Sequence, residues 1–325
     1  MRRAILGLAL LAPGLIALSF FLLLNSFDKA GPSRSGTYFL VERGDLPLSV
    51  SERLQQVGAI KNAFLFRVLI RLENKGPEIK AGEYEVPAAA SYRDILRLLT
   101  NGPTVVRKLT VPEGVTTAEI VAIVKSADGL VGEVPQDLGE GTLLPETYHY
   151  SWGDTREGLI SRMRDMMSDV VALAMASKSE NHPIDTPAEL ITLASIVERE
   201  TSIPSEQPRV AAVFVNRLKR GMLLQSDPTV IYAITRGKMI FERRLTYKDL
   251  KYPDPYNTYF KLGLPPGPIA NPGKSSLMAA ANPLITDELF FVADGFGGHV
   301  FSKSLSEHNR NVAKWRQIQR ERGLR

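Results

Sequence analysis

From Ala4 to Leu24 the chain carries no charged residue, and after that stretch apolar positions return only in short periodic sets. Wound as a helix at 1.5 Å per residue, such a run spans about 30 Å, the hydrocarbon core of a bilayer, so residues 4–24 predict a single transmembrane helix. Phe20 to Leu24 pass straight into Asn25 without a small-x-small site, which favours a retained anchor over a cleaved leader. Arg2 and Arg3 precede the run, and no later apolar stretch is long enough to cross, which puts residues 1–3 in the cytoplasm and the body outside it. Asp28 to Gly36 (DKAGPSRSG) is rich in Gly, Pro and Ser, so residues 25–36 predict a short tether.

Tyr38 to Glu42 alternates like a strand, and Leu46 to Val57 and Ala63 to Leu72 carry apolar residues at helical spacing. Ala81 to Pro87 reads as a turn and strand, and a helix starting at Ser91 has Ile95, Leu98 and Leu99 on one face. This order, strand, helix, helix, strand, helix, predicts a compact α/β module over residues 37–103. A strand over Val105 to Val111 and the turn Pro112-Glu113-Gly114 then open a larger domain, residues 104–325. In it Thr116 and Glu119 have capping-box spacing, and Thr155 caps a helix with a stripe of Leu159, Met163, Met166, Met167, Val170, Val171 and Ala174, read as core. Leu289 to Ala293 and His299 to Ser302 predict a hairpin through an Asp-Gly-rich turn, followed by a basic helix to Arg325. The fold class is α+β: an N-terminal transmembrane helix, a small α/β module and a larger mixed α+β domain.

Composition narrows the chemistry more than the fold. The 325 residues are 44% hydrophobic and 23% charged, enough chain for two domains with cores. A net charge of +5 suits an anionic polymer, a membrane surface or nucleic acid equally, so charge chooses no partner. The absence of cysteine removes disulfides and every thiol nucleophile. His149, His182, His299 and His308 form no H-x-x-x-H or H-x-H pair, so neither a metal nor any other cofactor is expected. Gly267 to Ser275 (GPIANPGKS) superficially resembles a phosphate-binding loop. Five residues separate its glycines where four are required, and Pro268 and Pro272 remove backbone donors, so no nucleotide is expected there.

The candidate chemistry lies at the end of one helix. Thr186-Pro187-Ala188-Glu189 supplies a cap, a proline at the first helical position and a capping-box acid, and Leu190 to Val197 follow as a nearly continuous apolar run. Glu198 and Glu200 end it. A carboxyl emerging from a buried helix is raised by desolvation toward the range useful for general acid catalysis. At 100° per residue the two acids lie about 160° apart on the flanks of the apolar face, so periodicity does not choose between them. Ala194 and Ser195, one turn before Glu198, leave room for a ligand, whereas Leu193, Ile196 and Val197 crowd Glu200. Two solvated acids at a helix end, paired with Arg199 or Arg209, fit the same pattern.

The run Leu193 to Thr201 (LASIVERET) resembles the signature of the YceG-like endolytic murein transglycosylases, and three later blocks fit it in the same order. These are Val213 to Leu218 (VFVNRL) with Met222 to Tyr232 (MLLQSDPTVIY), Tyr256 to Tyr259 (YNTY) with Gly263 to Gly273 (GLPPGPIANPG), and Phe291 to Gly295 with Gly298 to Phe301. The resemblance implies Glu198 as the single catalytic acid/base, a LysM-like module before it, and cleavage of peptidoglycan glycan strands outside the bacterial cytoplasmic membrane. In that mechanism one carboxyl protonates the glycosidic oxygen and then takes the C6 hydroxyl proton of the muramic sugar, closing a 1,6-anhydro ring. The use of one acid contrasts with the spaced pair of ordinary glycosidases. Tyr256 and Tyr259 suit pyranose faces, while Gln225, Asn257 and Thr258 suit hydroxyls and acetamides, with Ser226 and Asp227 beside them as further substrate contacts. Asp227-Pro228 reads equally as a helix start. Expected partners are the glycan strands, the membrane through residues 4–24, and peptidoglycan synthases; nucleic acid is not expected. A non-catalytic anchored scaffold binding wall glycan or the synthesis machinery is the competing reading.

Overall fold

The computed structural model describes residues 2–323, with side chains described from residue 13 onward. Two compact units emerge, one formed by residues up to Arg107 with His149–Gly153, the other by Lys108–Tyr148 and Asp154 onward.

In the first unit α1 (Arg2–Ser26) leads to β1 (Thr37–Val41), α2 (Pro47–Gln56), α3 (Ala63–Leu72), β2 (Gly82–Val86) and α4 (Tyr92–Asn101), the order the periodicity predicts. β1 and β2 pair antiparallel, with Phe39 opposite Tyr84, and Val50, Leu54, Phe66, Leu69, Ile95 and Leu99 from α2, α3 and α4 fill the core. Asn62 caps α3 through the N–H groups of Phe64 and Leu65, and Ser91 with Asp94 forms a full capping box on α4. Arg107 closes the unit with two 2.9 Å bonds to Glu83.

The predicted tether, residues 25–36, is held to the module at several points. Phe27 is fully buried against Tyr92, its carbonyl accepts the Arg93 N–H, and Asp28 pairs with the Arg93 guanidinium. Gly31 donates to Ala89 O, and a Cβ there would stand 2.2 Å from Ala90 O. The predicted 4–24 span falls partly on residues whose side chains lie outside those described; among the described residues, no helix is long and apolar enough to cross a membrane.

β3 (Val106–Thr110) and β4 (Thr147–Ser151) form another two-stranded sheet. The second unit is mainly helical: α5 (Thr117–Ser126), α6 (Arg156–Ala176), α7 (Pro187–Glu200), α8 (Gln207–Lys219), α9 (Asp227–Thr235), α10 (Tyr247–Leu250), α11 (Lys274–Ala281) and α12 (Leu305–Glu321). β5 (Phe290–Ala293) and β6 (His299–Ser302) form the predicted antiparallel hairpin, with Phe291 opposite Phe301. Capping boxes start α5 and α7 as the sequence indicates. The core gathers Met167, Val171 and Ala174 of α6, Leu190 to Val197 of α7, Val210 to Val215 of α8 and Leu277 to Ala281 of α11. Met166, placed in the core stripe by periodicity, is 40% exposed, since α6 turns it away from α7.

Candidate active site

α7 delivers both glutamates to the end of a buried rod. Leu190, Leu193, Ala194, Ile196 and Val197 are fully buried, and from Thr192 to Val197 the helix is closed to solvent until its last three residues. The space expected beside Ala194 and Ser195 is filled by protein. Ser195 is itself fully buried, donates to Thr192 O at 2.8 Å and accepts the Ile269 N–H at 3.0 Å, so the Gly/Pro-rich loop lies where a ligand was anticipated.

The two carboxylates face different surroundings. Glu198 Oε2 accepts the Gly273 N–H at 3.0 Å, just ahead of α11, where the unsatisfied donors of a helix start favour negative charge. That N–H is one the false phosphate loop would have needed. The Glu113 side chain packs directly on Gly273, whose added Cβ would stand 1.8 Å from Glu113 Oε1, so only glycine fits. Gly114, at φ +74°, passes within 3.3 Å of the Glu198 Cγ by the same measure and accepts the Arg199 Nη1 at 3.1 Å through its carbonyl. Burial, then the charges of Glu198 and Glu146, push the Glu113 carboxyl upward.

Beneath this corner Asn271 is fully buried and spends its amide on three segments. Its Oδ1 accepts the Leu143 N–H at 3.0 Å, and its Nδ2 donates to Val115 O, Thr117 Oγ1 and Glu140 Oε1. The Glu198 side of α7 is thus where the Pro-Glu-Gly turn, the start of α5 and the loop before α11 are fastened together.

Glu200 points into an open cleft of about 310 Å³, lined also by Arg217, Gln225, Asp227, Tyr259, Phe290 and His308. Its Oε1 accepts the Ser226 hydroxyl at 2.5 Å. Loss of solvent pushes the Glu200 carboxyl up to about 7; the Ser226 hydrogen bond opposes the rise, the Asp227 charge adds to it, and His299 and Arg217 oppose it. A carboxyl held there exchanges its proton near neutrality, as a general acid that must later act as a base requires.

The walls of this cleft are built by spent polar groups. Arg217, buried on α8, donates to Leu289 O at 2.6 Å and Leu224 O at 2.8 Å, and its guanidinium lies 5.1 Å from the Phe290 ring. Tyr259 donates to Asp227 Oδ1 at 2.7 Å. His299, whose charge acts on Glu200 although it does not line the cleft, is fixed by Glu206, which accepts both its backbone N–H at 3.0 Å and its ring Nδ1 at 2.8 Å. His308 stacks on Phe290 at 5.2 Å, and burial, with the Arg217 charge, holds its imidazole below the usual value.

Of the substrate contacts expected from the sequence, Gln225, Asp227 and Tyr259 line the Glu200 cleft and Ser226 touches Glu200 itself, whereas none of these four hydrogen-bonds to Glu198. Asn257 and Thr258 are buried and their side chains are occupied. Asn257 Nδ2 donates to Leu250 O and Tyr252 O, and Thr258 Oγ1 accepts the Ser226 N–H and meets Thr229 Oγ1 at 2.8 Å. Both side chains thus tie neighbouring loops together. Tyr256 presents its ring to Tyr232 at 4.9 Å and to the Arg236 guanidinium at 4.8 Å. Glu113, Arg217, His299 and His308 were not singled out as site residues from the sequence. The only local signal for the first is an acid inside a tight Pro-Glu-Gly turn.

With this geometry in view, the chain belongs to the YceG-like family, whose model matches residues 39–314. It is 31% identical over 307 residues to an endolytic murein transglycosylase of Bacillus subtilis, covering 85% of this chain and 83% of that one. A protein of the same description from Streptococcus pneumoniae is 30% identical over 319 residues; the match takes in 84% of this chain but only 57% of that longer relative. Among solved structures, a yceG-like protein from Listeria monocytogenes superposes with a TM-score of 0.53 at 30% identity, covering 86% of this chain and 99% of that one. The family read from the four sequence blocks is therefore the right one.

Proposed function

We propose that this chain is a peptidoglycan lytic transglycosylase that cuts within glycan strands, and that Glu200 is its general acid/base. The observation carrying the assignment is the position of Glu200 in the cleft, with its carboxyl lifted to about 7 by burial among Gln225, Asp227 and Tyr259. The names of the relatives supply the reaction class. Glu198, which the family resemblance implied and the small neighbours favoured, has a backbone N–H and a packed turn around it, and its role is to fasten the start of α11.

In this reading protonated Glu200 gives its proton to the oxygen linking N-acetylmuramic acid to N-acetylglucosamine, and the bond from the muramic C1 to that oxygen breaks. The resulting carboxylate accepts the proton of the C6 hydroxyl as its oxygen bonds to C1, which closes the 1,6-anhydro ring without consuming water. Asp227, on the same wall, supplies negative charge to the oxocarbenium-like centre. Incubating purified sacculi with Glu200→Gln and Glu198→Gln proteins, and resolving the products by mass spectrometry, tests the assignment. Glu200→Gln should lose anhydro-muropeptides by about 10²-fold or more, with Glu198→Gln retaining them if it folds. The reverse pattern returns the role to Glu198, and reducing ends in place of anhydro ends refute the ring closure.

The same proposal keeps residues 4–24 as an anchor in the bacterial cytoplasmic membrane, with the body on the wall side and synthases as neighbours. Its support is the uncharged Ala4–Leu24 run behind Arg2 and Arg3. Release of the full chain from membranes by alkaline carbonate would refute it.

A further inference from the structure

Ser226 occupies the N-cap of α9, where a serine hydroxyl ordinarily accepts a backbone N–H from the first turn, an interaction that stabilises a helix by about 1 kcal/mol. Here that bond is not made: α9 has no side-chain cap. The hydroxyl is turned the other way and donates to Glu200 Oε1 at 2.5 Å. The side chain is 1% exposed, and both backbone groups of the residue are held. Its N–H donates to Thr258 Oγ1 at 3.0 Å, its carbonyl accepts the Thr229 hydroxyl at 2.6 Å, and those two hydroxyls meet at 2.8 Å. Gln225 just before it sits at φ +52°, a left-handed conformation uncommon for a side-chain-bearing residue, and its N–H donates to Thr258 O at 3.1 Å. A helix cap left unmade, a strained residue beside it and a closed ring of buried hydroxyls all converge on one oxygen of one carboxyl. Local rules broken together at one point mark a functional constraint.

We infer that Ser226 is a positioning residue for Glu200: by engaging Oε1 it leaves Oε2 as the oxygen that carries the proton to and from the sugar. This rests on the assignment of Glu200 made above. Thr258 and Thr229 hold the Ser226 backbone in place, and from it the hydroxyl reaches the Glu200 carboxyl and fixes one of its oxygens. The charged and titratable groups that face Glu200 are Arg217 from α8, Asp227 from α9, His299 from β6 and Tyr259 from the loop before the Gly/Pro run; His308 of α12 lines the same cleft. Ser226 differs from all of these in donating directly to the carboxyl.

The test uses full-length protein acting on purified sacculi, with release of anhydro-muropeptides measured across pH for wild type, Ser226→Ala, Ser226→Thr and Glu200→Gln. Ser226→Ala should lower kcat by about tenfold or more with KM within about twofold, because orientation is lost while the cleft stays open. Its alkaline limb should move to higher pH, since the donor that stabilises the ionised carboxyl is gone. Ser226→Thr keeps a hydroxyl and should restore the limb to the wild-type position. Should the alanine variant not fold, Ser226→Gly, which an N-cap accepts well, provides the same readout. The inference is overturned if Ser226→Ala or Ser226→Gly shows the wild-type kcat and pH profile, or if the threonine variant shifts the limb as far as alanine does. An active Glu200→Gln protein would instead bring down the underlying assignment, so the two failures are distinguishable.

Discussion

Replacing Glu200 by glutamine should remove activity and make the protein more stable, and the structure gives the size and pH dependence of that gain. The carboxyl is pushed up to about 7 in the folded chain, against 4.5 for an ordinary glutamate, because protein encloses it. Between those values the folded state holds a proton that the unfolded chain has released, so stability falls as pH rises through the interval. At about 1.4 kcal/mol per pH unit, the interval from 4.5 to 7 amounts to about 3–4 kcal/mol, present in full below pH 4.5 and lost above pH 7. Glutamine does not titrate and its carbonyl oxygen can still accept the Ser226 hydroxyl, so the variant escapes this loss. Urea unfolding followed by far-ultraviolet circular dichroism, at about pH 5 and about pH 8, measures the difference. The variant should be close to wild type at the lower pH and more stable by about 3 kcal/mol at the higher. A variant equal to or less stable than wild type at the higher pH, or a gain that does not change with pH, would refute the reasoning.

Two further substitutions probe how the site is held. Gly273→Ala would drive a Cβ into the Glu113 carboxyl, 1.8 Å away, and should cost about 2 kcal/mol in urea unfolding, with Glu113→Ala restoring much of it in the double variant. Asn257→Ala strands the Leu250 and Tyr252 carbonyls and the Tyr259 N–H, and should lower stability by about 2–3 kcal/mol while leaving KM for sacculi unchanged in the folded fraction. A raised KM without lost stability would restore Asn257 to the sugar contacts.

Local chemistry made much of this fold legible. Thr116 with Glu119 and Thr186 with Glu189 begin helices where their spacing says they should, and the turn between β5 and β6 closes the expected hairpin. Other elements carry weaker signals. β4 is five residues of mixed polarity, and α11 starts at a Gly-Lys-Ser that invites a phosphate-loop reading before a helical one. The choice between the glutamates was beyond local reading. The contacts that support the Glu200 proposal are Ser226, 26 positions from Glu200, and Gly273, 75 positions from Glu198, and no periodicity within α7 registers either. Small neighbours were taken as room for substrate, but in a close-packed interior a small residue more often admits another part of the chain, as Ser195 admits Ile269. Asn257 and Thr258 carry an ambiguous signal for a related reason, since the groups that bind sugars are the same ones that tie buried loops.

The burial of Phe27 has a consequence for geometry. α1 ends directly before Phe27, which is held by the Tyr92 ring and the Arg93 N–H, so the last turn of the helix is tied to the module after it, like a key to its bow. Each residue inserted near the end of α1 would swing the module by about 100° around the helix axis and move it only about 1.5 Å along it. Helical phase, and not spacer length, therefore sets the direction the first unit faces.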